Sequence, residues 1–310
     1  MINPELRAKD RIFKELPKEL RELMEKYVLP EEVHKDVLEK IKEELFFDKD
    51  KAEKPKFIIV AGQTGSGKSN LTSYICSNDN NLVVIDSDKF KAYRPDNSEI
   101  MQNYMDKYAY LTAPDSYLHR DEIVVEAIKQ KYNILMECAP SQKEGLFVDI
   151  NKIIESGYEV EIHVLGVGLL NSMLSVHERY EKSLLSNSKT AKLTSLDRHA
   201  DSYDSLATSI MKEQNKDRVS IFVYKRGEKD SYEPIMVYDS NKDDKYSCPA
   251  EALIDTQIKD NLKTIPEARK RYEVIEQQME ERNAPESQRK QLEDLNNNIN
   301  MFIKIEQGRG

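Results

Sequence analysis

The sequence predicts a parallel α/β sheet flanked by helices, with helical N- and C-terminal extensions, and three observations predict it. Short apolar, β-branched runs alternate with segments of helical period from residue 56 to about 240. The first of these runs breaks into closely spaced glycines and ends in Lys-Ser. The second and third runs end in acids, Asp86 with Asp88 and then Glu137, at the sheet edge where such folds bind ligands. The chain divides accordingly into a helical segment at 1–55, a core at 56–240 and a helical extension at 241–310.

Residues 1–55 read as helices. Leu20, Leu23, Met24, Tyr27 and Val28 make one stripe, and Val33, Val37, Leu38, Ile41 and Leu45 another, punctuated by Pro17 and Pro30. They are expected to cover the core, with an inhibitory or partner-binding role as the alternative. Lys56–Ala61 is the first strand. From Gly62 to Ser69 the sequence fits G-x-x-x-x-G-K-[ST], the P-loop of nucleotide-binding proteins, so the sheet is of P-loop NTPase type. Gly62, Gln63, Thr64, Gly65, Ser66, Gly67, Lys68, Ser69 and Asn70 are the expected nucleotide site. The glycines allow turns that bring backbone N–H groups onto phosphate oxygens, and the next helix adds its positive end. Lys68 reaches the outer phosphates, and the Ser69 hydroxyl is suited to Mg²⁺.

Leu82–Ile85 is the second strand. Asp86 either caps the adjoining turn or serves Mg²⁺, and Asp88 stands at the end of a strand read as neighbouring the P-loop strand. Residues 96–131 read as mostly helical with a break at Ala113-Pro114-Asp115, and Tyr104, Tyr108, Tyr110 and Tyr117 crowd that region as packing or as a ligand platform. Tyr132–Met136 is the third strand, Ile150–Ser156 a helix closed by Gly157, and Tyr158–Leu165 the fourth strand, whose His163 is expected to be structural. Leu170–Leu185 is a helix carrying Glu178-Arg179-Tyr180-Glu181. Next come a polar stretch at 186–194 and a helix opened by Arg198-His199. Val219–Tyr224 is the fifth strand, and Ile235–Tyr238 pairs with it as a hairpin. Beyond 245, Ala268, Tyr272, Ile275 and Met279, then Leu292, Leu295, Ile299 and Phe302, predict an αα-hairpin turning at Asn283-Ala284-Pro285. No phosphate or metal pattern appears in it, so an accessory or oligomerisation role is expected.

Composition bounds the function. A net charge of −9 over 310 residues argues against a nucleic-acid partner, although a local basic cleft remains compatible with an anionic substrate. Cys76, Cys138 and Cys248 are odd in number and widely spaced, which indicates neither a disulfide framework nor a zinc site and suits a reducing cytoplasm. No apolar run reaches the ~18 residues of a membrane span, and the charged N-terminal stretch does not resemble a signal peptide.

A P-loop alone does not separate GTPases, ATPase motors and small-molecule kinases. No apolar strand ends in Asp-Glu, as a motor's does, and the core at 56–240 is read as carrying no N-K-x-D guanine-reading sequence, which weakens the GTPase reading. Asp88 suits a general base that deprotonates an acceptor hydroxyl during in-line attack on the γ-phosphate, with Lys68 at the outer phosphates. Four segments carry a family likeness: Gly62-Gln63-Thr64-Gly65-Ser66-Gly67-Lys68-Ser69, Ile85-Asp86-Ser87-Asp88-Lys89-Phe90-Lys91, Leu135-Met136-Glu137, and Glu178-Arg179-Tyr180-Glu181 with Thr190-Ala191-Lys192. From about residue 30 to 240 the chain resembles the zeta toxins, kinase toxins of bacterial toxin–antitoxin systems. The resemblance implies ATP and Mg²⁺ as cofactors, the 3′-hydroxyl of UDP-N-acetylglucosamine or a related nucleotide sugar as acceptor, and a protein antitoxin as partner. It implies Asp88 as catalytic base, Glu137 as substrate-side acid and Arg179 as one of two phosphate-gripping arginines. The family's second arginine aligns with Lys192, which lacks the bidentate fork, so Arg198 is its alternative. Arg94-Pro95 stands where many members have His-Pro, making Arg94 a candidate substrate residue, and Cys138-Ala139 replaces the usual Gly-Thr. Two other readings stay open: a nucleotide-dependent regulatory switch whose helical ends bind a partner, and a kinase of a different hydroxyl acceptor.

Overall fold

The computed structural model describes residues 16–105, 107–186, 193–227, 233–242 and 245–307. Strands β1 (Lys56–Ala61), β2 (Leu82–Ile85), β3 (Asn133–Cys138), β4 (Glu159–Leu165), β5 (Val219–Lys225) and β6 (Ile235–Asp239) form one sheet in the order β2-β3-β1-β4-β5-β6. The first five are parallel, and β6 closes the edge antiparallel to β5, as the expected hairpin requires. The helices are α1 (Lys18–Lys26), α2 (Glu31–Phe46), α3 (Lys68–Asn78), α4 (Ser87–Phe90), α5 (Asn97–Asn103), α6 (Tyr108–Gln130), α7 (Ile150–Glu155), α8 (Leu169–Leu185), α9 (Leu196–Met211), α10 (Pro249–Glu281) and α11 (Glu286–Gln307).

The strands' period of two sorts the core into layers. Phe57, Ile59 and Ala61 face one way and pack with Val37, Leu38 and Ile41 of α2 and with Ile123, Val124 and Ala127 of α6. Ile58 and Val60 face the other way, onto Leu71 and Ile75 of α3. The N-terminal stripes therefore cover the core: Met24 of α1 packs with Ile100, Tyr108 and Leu111, and neither α1 nor α2 lines the P-loop cleft.

Three expectations need correction. β3 lies between β1 and β2, so Glu137 is on the strand beside the P-loop strand and Asp88 is one strand further out. The long crossover through α6 returns the chain to the inner position, which hydrophobic pattern alone does not specify. The break expected at Pro114 is absent, and α6 runs through it. The carbonyl that loses its N–H partner belongs to exposed Tyr110, while Ala113, Asp115 and Ser116 are buried and hold the turn in place. The extension is also not separable at 240, because Ala252 and Leu253 of α10 are fully buried in the sheet's own core. The expected hairpin does form. Ala268, Tyr272, Ile275 and Met279 of α10 meet Leu292, Leu295 and Ile299 of α11, and both pack on Leu170, Met173 and Leu174 of α8. Asn283 takes positive φ at the turn.

Candidate active site

A cleft of about 620 Å³ opens at the carboxyl edge of β1, β2 and β3. Its floor is the P-loop. Gly65 and Gly67 both have positive φ, and a Cβ on Gly65 would stand 2.2 Å from the Ser172 carbonyl oxygen, so the loop can lie on α8 only with glycine there. Gly67 leads into α3, whose first residue is Lys68. The Lys68 ammonium donates to the carbonyls of Gly62 (3.0 Å) and Gln63 (3.2 Å). Desolvation pushes its pKa below the usual lysine range, against the pull of the Glu137 carboxylate.

Thr64, Gly65, Gly67, Lys68, Ser69 and Asn70 line the cleft. The side chains of Gln63 and Ser66 do not. Gln63 is fully buried and donates to the Val167 carbonyl (2.7 Å) and the Ser172 hydroxyl (3.1 Å), bracing the loop against α8. Strand period puts Glu137 on the α3 side, where it accepts from Thr72 Oγ1 at 2.8 Å and from Ser69 Oγ at 3.5 Å. The expected substrate-side acid thus also stands beside the expected metal-binding hydroxyl.

The second wall is local in sequence. Asp86 caps α4, accepting from the Asp88 backbone N–H at 3.0 Å, and it still lines the cleft. Burial raises its pKa, with Glu137 and Asp88 adding like charge. Asp88 is 59% exposed on its side chain and pairs at 2.5 Å with the Lys91 ammonium, which is 2% exposed. Burial alone would weaken that ammonium, but Asp88, with Tyr117 and Tyr108, more than offsets it and raises its pKa. Lys91 is a site residue that sequence reasoning missed. Its signal is a lysine three positions after Asp88, one turn on. Tyr117 and Arg120 complete this end, with the guanidinium 5.1 Å from the ring centroid and Arg120 donating from Nε and Nη2 to the one oxygen Oδ1 of Asp121.

The third wall is α8 together with the start of α9. Ser175, Arg179 and Ser183, spaced by four on α8, line the cleft. Arg198 of α9 also lines it while donating to the carbonyls of Ala139 (2.5 Å) and Pro140 (2.9 Å), so it pins the loop after β3. Lys192, the alternative to Arg198, lies outside the described residues. Arg226, just past β5, was also missed. It grips the P-loop from outside, donating to the carbonyls of Ser66 (2.8 Å) and Gly65.

Arg94 is another expected site residue that the structure keeps out of the cleft. Its side chain is 1% exposed and is held by Asp96, Asp115 and the Tyr27 carbonyl, tying α1 to α6. His163 is structural as expected, between Tyr224 and Glu161. The string Asn241-Lys242-Asp243-Asp244 spells a guanine-reading pattern, but Asn241 bonds Asp239 and Ser220 at the opposite edge of the sheet.

Among the described residues, seven basic side chains line the cleft (Lys68, Lys89, Lys91, Arg120, Arg179, Arg198, Arg226) against three acidic ones (Asp86, Asp88, Glu137), in a chain of net charge −9. The excess of four positive charges fits an anionic ligand.

The family model for zeta toxins matches residues 38–243. The chain belongs to the zeta toxin family. Among curated relatives, a zeta toxin of Streptococcus pyogenes is 30% identical over 158 residues, 51% of this chain and 55% of the relative. One of Enterococcus hirae is 29% identical over 169 residues, 54% and 59% respectively. The match thus spans a little over half the length of those relatives. A solved structure from the PezAT chromosomal toxin–antitoxin system of Streptococcus pneumoniae has a TM-score of 0.64 at 19% identity, covering 81% of this chain and 98% of that one, and so shares the fold. The zeta-family core ends before α10, so α10 and α11 lie beyond the matched residues. Among the described residues, no helix is long and apolar enough to cross a membrane.

Proposed function

We propose that this zeta-family chain transfers the γ-phosphoryl group of ATP to a hydroxyl of an anionic acceptor, with UDP-N-acetylglucosamine or a related nucleotide sugar as the acceptor class. The observation that carries this reading is the meeting, in one basic cleft, of the P-loop lysine with the exposed carboxylate of Asp88.

The residues divide the work. Thr64 to Asn70 hold the phosphates through backbone N–H groups, the Lys68 ammonium and the positive end of α3. Lys68 now satisfies itself on two loop carbonyls, and an outer phosphate offers it a stronger partner. Ser69, Glu137 and Asp86 supply oxygen donors that fit Mg²⁺. Among the described residues they form no complete metal cage, as suits an ion that keeps waters and phosphate oxygens. Mg²⁺ bound there contributes charge neutralisation of the phosphates. Asp88 accepts the proton of the attacking hydroxyl, with Lys91 fixing its carboxylate. Arg179 and Arg198 face the same space and stabilise charge on the phosphoryl group in flight. Tyr117 and Arg120 form a cationic, aromatic end for the acceptor.

The test is purified protein with ATP, Mg²⁺ and UDP-N-acetylglucosamine, and mass spectrometry for a product heavier by one phosphate. A product that disappears in both Lys68→Ala and Asp88→Asn supports the reading. ATP binding without product moves the acceptor to another hydroxyl compound. ATP binding without transfer to any nucleotide sugar or sugar tried favours the switch reading. We further propose a protein antitoxin as partner, in keeping with the family. Arrest of growth on expression of this chain, relieved by a co-expressed partner that co-purifies with it, is the expected result.

A further inference from the structure

Arg179 stands between two acids, Glu178 and Glu181, on α8. Neighbours one and two positions away on a helix point to other faces, so these acids are placed to fasten α8 to another element rather than to pair with Arg179. The structure assigns both acids elsewhere. Arg271 of α10 takes Glu178 in a bidentate fork, 2.6 Å from Nε and 2.6 Å from Nη2. Arg282, at the end of α10, takes Glu181 in a second fork of two 2.7 Å bonds, and Glu181 is 2% exposed. Among the described residues, Arg179 has no carboxylate partner of its own. Helix geometry makes this division possible. Positions 175, 179 and 183 form the cleft stripe of α8, while 178 and 181 lie on the side that α10 covers.

We infer that Arg271 and Arg282 are positioning residues for Arg179: by holding Glu178 and Glu181 against α10 they fix the rotation of α8 that presents the Arg179 guanidinium to the phosphates in the cleft. This rests on the phosphate-binding role proposed above for Arg179. Neither arginine lies within the family-matched residues 38–243. A second tie runs the same way. The Asn171 side-chain carbonyl accepts from Arg271 at 2.8 Å and from Arg226 at 3.2 Å, and Arg226 holds the P-loop.

The test reads the affinities of the intact protein for Mg·ATP and Mg·ADP, with no acceptor present. Arg179→Ala sets the scale and is expected to weaken ATP about tenfold more than ADP, the size of one charge-assisted contact. Arg271→Gln and Arg282→Gln are expected to approach that ATP-selective loss, because each unfastens a turn of α8 from α10 and lets Arg179 shift off the phosphates. The paired variants Arg271→Gln/Glu178→Gln and Arg282→Gln/Glu181→Gln are expected to return to within about threefold of the starting ratio. These pairs strand no charge and retain an amide–amide hydrogen bond, so they carry the test even if a single variant does not fold. Paired variants that fold yet keep the ATP-selective loss overturn the inference, as do folded single variants with an unchanged ATP-to-ADP ratio. An unchanged ratio in Arg179→Ala removes the arginine's assigned role, and the inference with it. Failure to find an acceptor leaves these binding results standing.

Discussion

The two long walls of the cleft are built by opposite strategies. The wall that carries Asp88 is local. Asp86, Asp88 and Lys91 lie within six consecutive residues, joined by one cap and one ion pair. The wall that carries Arg179 is assembled from far along the chain. Arg271 reaches Glu178 across 93 residues, and Arg282 reaches Glu181 across 101. The first needs only a strand end and one turn. The second needs α10 and α11 to be folded against α8, where Ile265, Ala268, Tyr272 and Ile275 share a core with Leu170, Met173 and Leu174. A local wall is robust to distant changes, whereas a remote one makes activity depend on elements that carry no chemistry themselves.

The largest effect that tests this contrast is removal of the extension. A chain ending at residue 248 is expected to lose cooperative folding, because it uncovers the apolar face of α8 and removes Ala252 and Leu253 from the sheet's core. It also removes Arg282 from Glu181, whose carboxylate the same deletion exposes to water. Thermal unfolding monitored by circular dichroism checks this. A truncated chain that unfolds at the same temperature as the full chain would return the extension to the accessory status its sequence suggested.

Next is Asp88→Asn. Removing a general base is expected to lower turnover by roughly 10²–10⁴-fold while ATP affinity stays near its starting value. Isothermal titration beside a turnover assay separates the two, and equal turnover would take Asp88 out of the base role.

A smaller effect is expected from Lys91→Met. The substituted side chain fills the same buried space, and Asp88 is exposed enough not to be left as a buried charge. Melting temperature should hold or rise while turnover drops by about tenfold, as the Asp88 carboxylate loses its buried cationic partner. Equal turnover would make the Lys91–Asp88 pair structural.

The smallest effect concerns pH. His177 on α8 is fully buried, neither ring nitrogen has a hydrogen-bond partner, and burial lowers its pKa to about 4. Its folded pKa lies below its unfolded value near 6.5, so the unfolded chain binds the proton first. The stability its neutral form contributes is present above about pH 6.5 and drains away as pH falls toward 4. His177→Leu is expected to flatten that acid limb by a few degrees in melting temperature between pH 7 and pH 4.5. His34 runs the other way. Burial works against its charged form, but Asp115 and Glu122 outweigh it and raise its pKa to about 9, so its contribution is full below about pH 6.5 and is lost as pH rises through 9. A variant that melts with the same pH dependence as the parent would show that His177 does not titrate in this range.

The glycine pattern of 62–69, the β-branched runs and the strand-end acids made the phosphate loop, the sheet class and the carboxylates legible in sequence, because each depends on short-range backbone chemistry. The stripes of α10 and α11 were equally plain, since helical period is a local property. Strand order was not legible: nothing in Leu82–Ile85 or Asn133–Cys138 says which sits beside β1, as both are apolar and buried on two faces. Arg94 has the sequence position of a ligand residue because it comes just after the catalytic segment, yet its carboxylate partner Asp115 comes from a helix 21 residues on and draws it inward. Lys91 and Arg226 are not legible because a lone cation carries no pattern until its partner's position is known. The sequence by itself determined where the P-loop lies and which carboxylates stand at the sheet edge, because those features need only a few consecutive residues. Which cations reach that edge was decided by tertiary structure alone, because an arginine's partner is whichever carboxylate packing brings within about three ångströms, and packing joins residues about a hundred positions apart.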